Sequence, residues 1–349
     1  MYIYFVYYII FALISTFSKQ KNLTQSNGRM PHYVWLISIS LILLAGLRST
    51  NIGIDTGQYK AIWDFDIKAG NYHAIDTEAE YGYFFLQTFF KQFMSYQSFL
   101  FVVAILSIVP TCFIIYRYSS FLGLSFLLFY ASIPFHALEF SAARQAIAFG
   151  LVMISYHYFI KRELFFYSLF LIAAILFHQT AIIFVPCYCL FNVRINKKSI
   201  SIWFVLLAVS FVFAKMFFSF FNSYSRIDYS FSEVEAGGQR LFILLILFVI
   251  LGFVNKDIIN ESPNVRIPFI LFSISPLLWP ILNGNPALYR LQYYFDFFFC
   301  LYVPNLLMTF KRNEKMKYIY IVLSIFISLY IVLVMRNVEA YYPYKFFWE

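Results

Sequence analysis

Apolar residues fill long, nearly unbroken stretches, and polar residues gather in short clusters between them. No strand pattern, low-complexity tract or repeat interrupts the arrangement. The apolar stretches fall at 2–18, 33–47, 98–116, 119–137, 142–160, 164–178, 179–192, 200–221, 241–255, 267–283, 287–309 and 317–335. Their lengths approach the roughly 20 residues that an α-helix needs to cross a bilayer. The pattern therefore predicts an all-α polytopic membrane protein with about 12 transmembrane helices. The short pair 164–178 and 179–192 is expected either as two spans or as a tight hairpin.

Composition agrees. The 349 residues are 62% hydrophobic and 12% charged, with a mean hydropathy of +0.72. A soluble domain carries about 25% charged residues, so lipid must be the solvent for most of this chain. The first run, Tyr2–Phe17, has no charge ahead of it and is followed by Lys19, Lys21 and Arg29. A secretory signal places its charges first, so this run is expected as a retained helix with its N-terminus outside.

The net charge of +9 then resolves into topology. On that orientation the inner connections hold Lys19, Lys21, Arg29, Arg117, Lys161, Arg162, Arg194, Lys197, Lys198, Lys256, Arg266, Lys311, Arg312, Lys315 and Lys317. Their acids are Glu163, Asp257, Glu261 and Glu314 alone. Lysine and arginine gathered on alternate connections follow the positive-inside rule. The positive charge thus asks for no nucleic-acid partner, and both termini are expected outside.

Two outer segments are long, 48–97 and 222–240. Within the first, YGYFFLQTFFKQFMS at 81–95 is too short and too amphipathic to span, and is expected in the interface. The second carries Arg226, Asp228, Glu233, Glu235, Gly237, Gly238 and Arg240. Short basic loops inside and furnished segments outside place the chemistry on the outer face.

Polar groups near membrane depth are expensive and call for a functional hypothesis. The cluster LRSTNIGIDTGQY at 47–59 holds Arg48, Asp55 and Tyr59, with Gly53 and Gly57 for tight turns. Arg48 binds a ligand or only caps the carbonyls of the helix before it. In FHALEFSAARQAIA at 135–148, Ser141 suits an N-cap, which puts Arg144 and Gln145 in the first turn. A cation there opposes the helix dipole. A bound anion would explain it, and so would pairing with Glu139. In NGNPALYRLQYYFD at 283–296, Pro286 suits the first helical position after Asn285, with Arg290 just beyond. Gln292 and Asp296 share a face at i, i+4. Asp296 either lines a polar stripe with Gln292 or pairs with a buried cation such as Lys215. His178 closes the stretch 164–178 (LFHQTA), as a base or as a hydrogen-bonded structural group; His136 is a weaker case. Cys112, Cys187, Cys189 and Cys300 all lie in apolar runs, without the spacing of a zinc site or disulfide framework, and are expected as small core residues. The closing YYPYKFFWE at 341–349 is expected to anchor at the interface.

Arg48, Arg144 and Arg290 are thus expected on one membrane face, two of them near helix N-termini. Arginine grips phosphate with a two-pronged fork. A lipid-linked pyrophosphate entering from the outer leaflet suits this set best.

Several blocks resemble the EpsG/Wzy-like family of bacterial exopolysaccharide and O-antigen polymerases. They are LRSTNIGIDTGQY at 47–59, SAARQAIAFGLVMISYHYFIKRELFFYSLFLIAAILFHQTAIIFVP at 141–186, YRLQYYFDFFFCLYVP at 289–304 and YYPYKFF at 341–347. The resemblance implies a GT-C-like membrane glycosyltransferase acting on an undecaprenyl-pyrophosphate-linked oligosaccharide, with no cofactor and no obligatory metal. It implies that Arg48, Arg144, Arg290, Gln145, Tyr59 and Asp296 hold the pyrophosphate and sugar, and that His178 or Asp55 is the general base. A chain-length regulator and a flippase are the expected pathway partners. The rivals are a flippase or transporter of the same lipid-linked unit, which should show polar groups at mid-membrane and on both faces, and an acyltransferase, which should carry its catalytic set near the inner side.

Overall fold

The computed structural model describes residues 2–17, 30–66, 80–224, 236–282, 286–310, 314–335 and 343–349. Among them the regular structure is helical, and the chain is an all-α membrane protein. Lys19, Lys21, Arg29, Arg226, Asp228, Glu233, Glu235, Lys311 and Arg312, named above, lie outside the described residues.

The chain divides into two compact units, Met1–Val185 with Ser328–Glu349, and Pro186–Ile327. The first contains α1 (Tyr2–Phe17), α2 (His32–Gly46), α3 (Thr56–Ala61), α4 (Tyr81–Lys91), α5 (Tyr96–Tyr118), α6 (Leu122–Tyr130), α7 (Ile133–Phe140), α8 (Ala143–Lys161) and α9 (Leu164–Phe177). The second contains α10 (Lys197–Tyr224), α11 (Ala236–Val254), α12 (Lys256–Glu261), α13 (Pro263–Leu282), α14 (Pro286–Tyr289), α15 (Tyr293–Asp296) and α16 (Phe299–Leu307). Helix α17 (Glu314–Met335) runs across the division in sequence.

Among the described residues each of the twelve apolar stretches is mainly helical, but not each is one straight helix. Tyr96–Tyr118, Lys197–Ala214 and Pro263–Leu282 are long and apolar enough to cross a membrane alone. The stretch 119–137 breaks into α6 and α7, bent by 56°, and the two together are long enough for a fourth crossing. Ser132 causes the break: its hydroxyl accepts from the Phe135 amide at 3.2 Å and starts α7, with Pro134 in the first turn. The stretch 287–309 divides further, into α14, a 3₁₀ turn over Arg290–Gln292, α15 and α16. The pair 164–178 and 179–192 becomes α9 followed by a 3₁₀ run, Gln179–Asn192.

Helix boundaries carry local signals. Ser95 caps α5 by accepting from the Ser98 amide at 3.2 Å. α8 stops at Arg162, which takes a left-handed φ of 63° while its amide bonds the Phe159 carbonyl at 3.1 Å. α8 lies so close to α5 that a Cβ on Gly150 would stand 2.2 Å from the Leu106 carbonyl oxygen. In the second unit, Asn196 and Ser199 cap α10 reciprocally, each side chain accepting from the other's amide.

The surface is turned toward lipid. α10 presents Val205, Phe211 and Val212 outward, and α9 presents Phe165 and Ile172. Contiguous exposed hydrocarbon on this scale is a membrane surface. α4 shows it best. Tyr81, Phe85 and Phe89, with Phe93 just past its end, face outward, while Tyr83 and Gln87 on the opposite side are buried. Its amphipathicity is inside-out, with the apolar side exposed and the polar side buried.

Cys112, Cys187 and Cys300 are buried, and Cys189 is exposed, a correction to the expectation of four core cysteines.

Candidate functional site

The loop 47–59 is fixed before it meets α3. Gly53 has a φ of 100°, and a Cβ there would come within 1.7 Å of the Phe140 carbonyl oxygen. Only glycine tolerates both conditions. The loop therefore lies directly on the end of α7. Two hydrogen bonds hold it there: Thr56 Oγ1 donates to the Phe140 carbonyl at 3.0 Å, and the Asp55 amide donates to Ser141 Oγ at 3.1 Å. Ser141 was expected to cap α8. The helix instead starts one residue later, after Ala142, and the Ser141 hydroxyl serves the loop. Arg144 and Gln145 still fall in the first turn.

Arg144 does not pair with Glu139. Its Nε donates to the Tyr59 hydroxyl at 3.2 Å, its guanidinium lies over the Tyr59 ring at 5.4 Å, and it stands 3.6 Å from Glu80 Oε2. Glu139 is buried beside Ser107, whose hydroxyl donates to it at 2.8 Å. The other Glu80 oxygen accepts from His178 Nδ1 and from the Gln179 amide, the latter at 3.0 Å. One carboxylate thus joins the start of α8 to the end of α9. Glu80 is 6% exposed at the side chain and Arg144 33%, so the carboxylate is sunk and the guanidinium still reaches solvent.

Glu80 was missed in the sequence. It is the last of three acids, Asp76, Glu78 and Glu80, that precede the aromatic run at 81–95. The available signal was indirect: Arg144 and His178 both needed an acid, and Glu80 opens the helix that packs against α9.

Arg48 lies deeper than expected. It is 2% exposed, and its Nη1 donates to the Ala45 carbonyl. Burial pushes its pKa down, while the nearby Tyr96, Glu139, Tyr344 and Tyr83 oppose the shift. Its backbone is pinned from both sides. Gln97 Nε2 donates to the Arg48 carbonyl at 3.1 Å, and residues 47–49 pair with the tail through Ser49 N to Lys345 O at 2.8 Å and Phe347 N to Leu47 O at 2.9 Å. The Tyr344 hydroxyl adds a bond to the Leu44 carbonyl at 2.8 Å. The tail, expected to anchor at the interface, braces this loop.

Tyr83 on α4 sits among these groups. Its ring meets Tyr59 at 5.5 Å, and its buried hydroxyl has no hydrogen-bond partner among the described residues. Burial raises its pKa well above the usual value, and the charges of Arg144 and Arg48 pull the other way. Asp55 is half-buried at the loop's edge. His136 is structural: Nδ1 bonds the Ser132 carbonyl at 3.0 Å and the ring packs among Tyr4, Tyr130 and Phe135.

In the second unit, Gln292 and Asp296 form the expected stripe, with Gln292 Nε2 donating to Asp296 Oδ1 at 3.3 Å. Ser275 on α13 completes it, donating to Asp296 and accepting from Gln292 at 2.9 Å. Arg290 is half-buried on the adjoining 3₁₀ turn. Asn285 and the side chain of Lys215 lie outside the described residues.

No curated protein and no solved structure matches the chain. A family model matches residues 32–346, from the start of α2 to the tail that braces Arg48. On that match, the chain belongs to the EpsG family.

Proposed function

We propose that this EpsG-family chain is a polysaccharide polymerase, a GT-C-like glycosyltransferase with about 12 membrane crossings that works on the outer face of the bacterial cytoplasmic membrane. Its substrate is an oligosaccharide repeat unit on undecaprenyl pyrophosphate, delivered by a flippase, and a chain-length regulator works beside it. The product is a capsule, an O-antigen or a secreted glycan.

One observation carries the reading: Glu80 holds Arg144 and His178 at one place, a cation for a leaving phosphate beside a base for an attacking hydroxyl. The carboxylate accepts from Nδ1, which leaves Nε2 of His178 as the basic nitrogen. An acceptor sugar hydroxyl attacks the anomeric carbon of the donor. The new C1–O bond forms as the C1–O–phosphate bond breaks. The hydroxyl proton goes to Nε2, and the electron pair departs with undecaprenyl pyrophosphate. Arg144, at a helix N-terminus that itself favours anions, stabilises that charge. Tyr59 orients Arg144, and Gln145 lies beside it in the first turn. Arg48 acts from beneath, through its charge rather than by contact, because it is buried. Arg290 and Asp296, in the second unit, are kept as further proposed contacts for pyrophosphate or sugar.

Asp55 is the competing base. Replacing His178 with Gln and Asp55 with Asn separately decides between them: losing the true base removes the acid limb of the pH–rate profile. For the reaction class, deletion of the gene is followed by analysis of lipid-linked glycans. A polymerase mutant accumulates single repeat units outside. Units trapped inside would mean a flippase, and long chains with altered decoration an acyltransferase; either overturns the proposal.

A further inference from the structure

A pocket of about 560 Å³ opens in the first unit beside this site. That volume lies within the roughly 300–1,000 Å³ of small-ligand sites. Its walls include Lys60, Trp63, Asp64, Lys91, Tyr96 and Gln97. Lys60 and Asp64 form an i, i+4 ion pair that remains partly exposed. Lys91 Nζ lies 5.7 Å from the centre of the Trp63 ring. The lining therefore carries two cations against one carboxylate, among aromatic rings and neutral hydrogen-bonding groups.

The pocket is joined to the site in two ways. Tyr96 lines it, and its hydroxyl donates at 3.3 Å to the carbonyl of Thr56, the residue after Asp55. Lys91 is also the last of an inward polar row on α4. Tyr83, Gln87 and Lys91 follow at four-residue spacing, which stacks them on one face. Gln87 is 1% exposed, and its Nε2, like the Tyr83 hydroxyl, has no hydrogen-bond partner among the described residues. Of this row only Lys91 lines the pocket. Aromatic faces for sugar rings, amides and hydroxyls for sugar hydroxyls, and an excess of lysine together describe a site for an acidic saccharide.

We propose that this pocket is a subsite for an anionic sugar unit of the acceptor glycan, held by Lys91 and Lys60 beside Tyr96. This rests on the polymerase reading for the identity of the glycan, not for the binding itself.

The test is calorimetric titration of the full chain in phosphatidylcholine nanodiscs, with tetragalacturonate and with a neutral tetragalactose of the same linkage as probes. The acidic probe binds, and the neutral one is weaker by about tenfold or more. Lys91→Gln weakens the acidic probe about tenfold, and Lys91→Arg restores most of it. Lys60→Gln, on an exposed side chain that leaves the fold alone, weakens it by roughly two- to fivefold. Asp64→Asn tightens it, because Lys60 loses its competitor. Equal binding of the two probes, no binding of the acidic one, or indifference to both lysine variants would overturn the proposal. So would displacement of the sugar by phosphatidylglycerol in the discs, which would make the pocket a lipid-headgroup site. Polymerisation is measured on the same preparations. Activity without acidic-sugar binding removes the pocket alone; binding without activity removes the polymerase reading alone.

Discussion

Replacing Glu80 with Gln keeps its shape and removes its charge. At 3.6 Å from Arg144 the gross attraction is about 4–5 kcal/mol at an effective dielectric of ~20. Arg144 reaches solvent, so screening and entropy cut the net loss toward about 1–2 kcal/mol. Gln still offers an oxygen to His178 Nδ1 and to the Gln179 amide, so the local geometry survives. The kinetic effect is the larger one. A group that orients a functional histidine is worth roughly 10- to 100-fold, or about 1.4–2.7 kcal/mol in the barrier. The assay is polymerisation of a lipid-linked repeat unit by purified protein in liposomes, alongside thermal unfolding. Glu80→Gln should lose that activity with only a small shift in unfolding temperature. Combined with His178→Gln, it should add little, because both changes disable one unit. Full activity in Glu80→Gln, or strictly multiplicative losses in the double variant, would refute the coupling of Glu80 to His178.

Three further outcomes follow from the same geometry. Arg144→Lys keeps the charge but loses the fork, and should slow polymerisation about tenfold or more at unchanged protein level; wild-type rates would remove Arg144 from the phosphate site. Gly53→Ala forces a side chain against the Phe140 carbonyl at a positive φ, and should cost more than about 1 kcal/mol of stability by thermal unfolding. Tyr344→Phe deletes the bond to Leu44 and should cost about 1 kcal/mol, while Trp348→Ala, on an exposed side chain, should cost less than about 0.5 kcal/mol.

The positions of the helices were legible because apolar length is written directly in the chain. Gln292 and Asp296 were legible for the same reason, since i, i+4 spacing is local. The breaks within 119–137 and 287–309 were harder to see, because Ser132 and a 3₁₀ turn interrupt runs that stay apolar throughout. Glu80 carried no local signal: it meets His178 across 98 positions, and nothing near it distinguishes it from a solvated acid. Ser141 misled for the opposite reason. It had a sound local role, as a helix cap, and a distant amide from Asp55 took it. The tail's aromatic residues suggested lipid, and no periodicity could show that its backbone would pair with residues 47–49.

The inverted amphipathicity of α4 has a consequence for handling this protein. Among the described residues the outward aromatic row of the helix that Glu80 opens is exposed, and in a bilayer it would lean on hydrocarbon. Strip the hydrocarbon, and the same row favours rolling inward, carrying Glu80 off both of its partners. A harsh, short-chain detergent would then imitate Glu80→Gln in an unmutated chain. Inactivity after purification would report the solvent rather than the sequence, and returning lipid would reverse it.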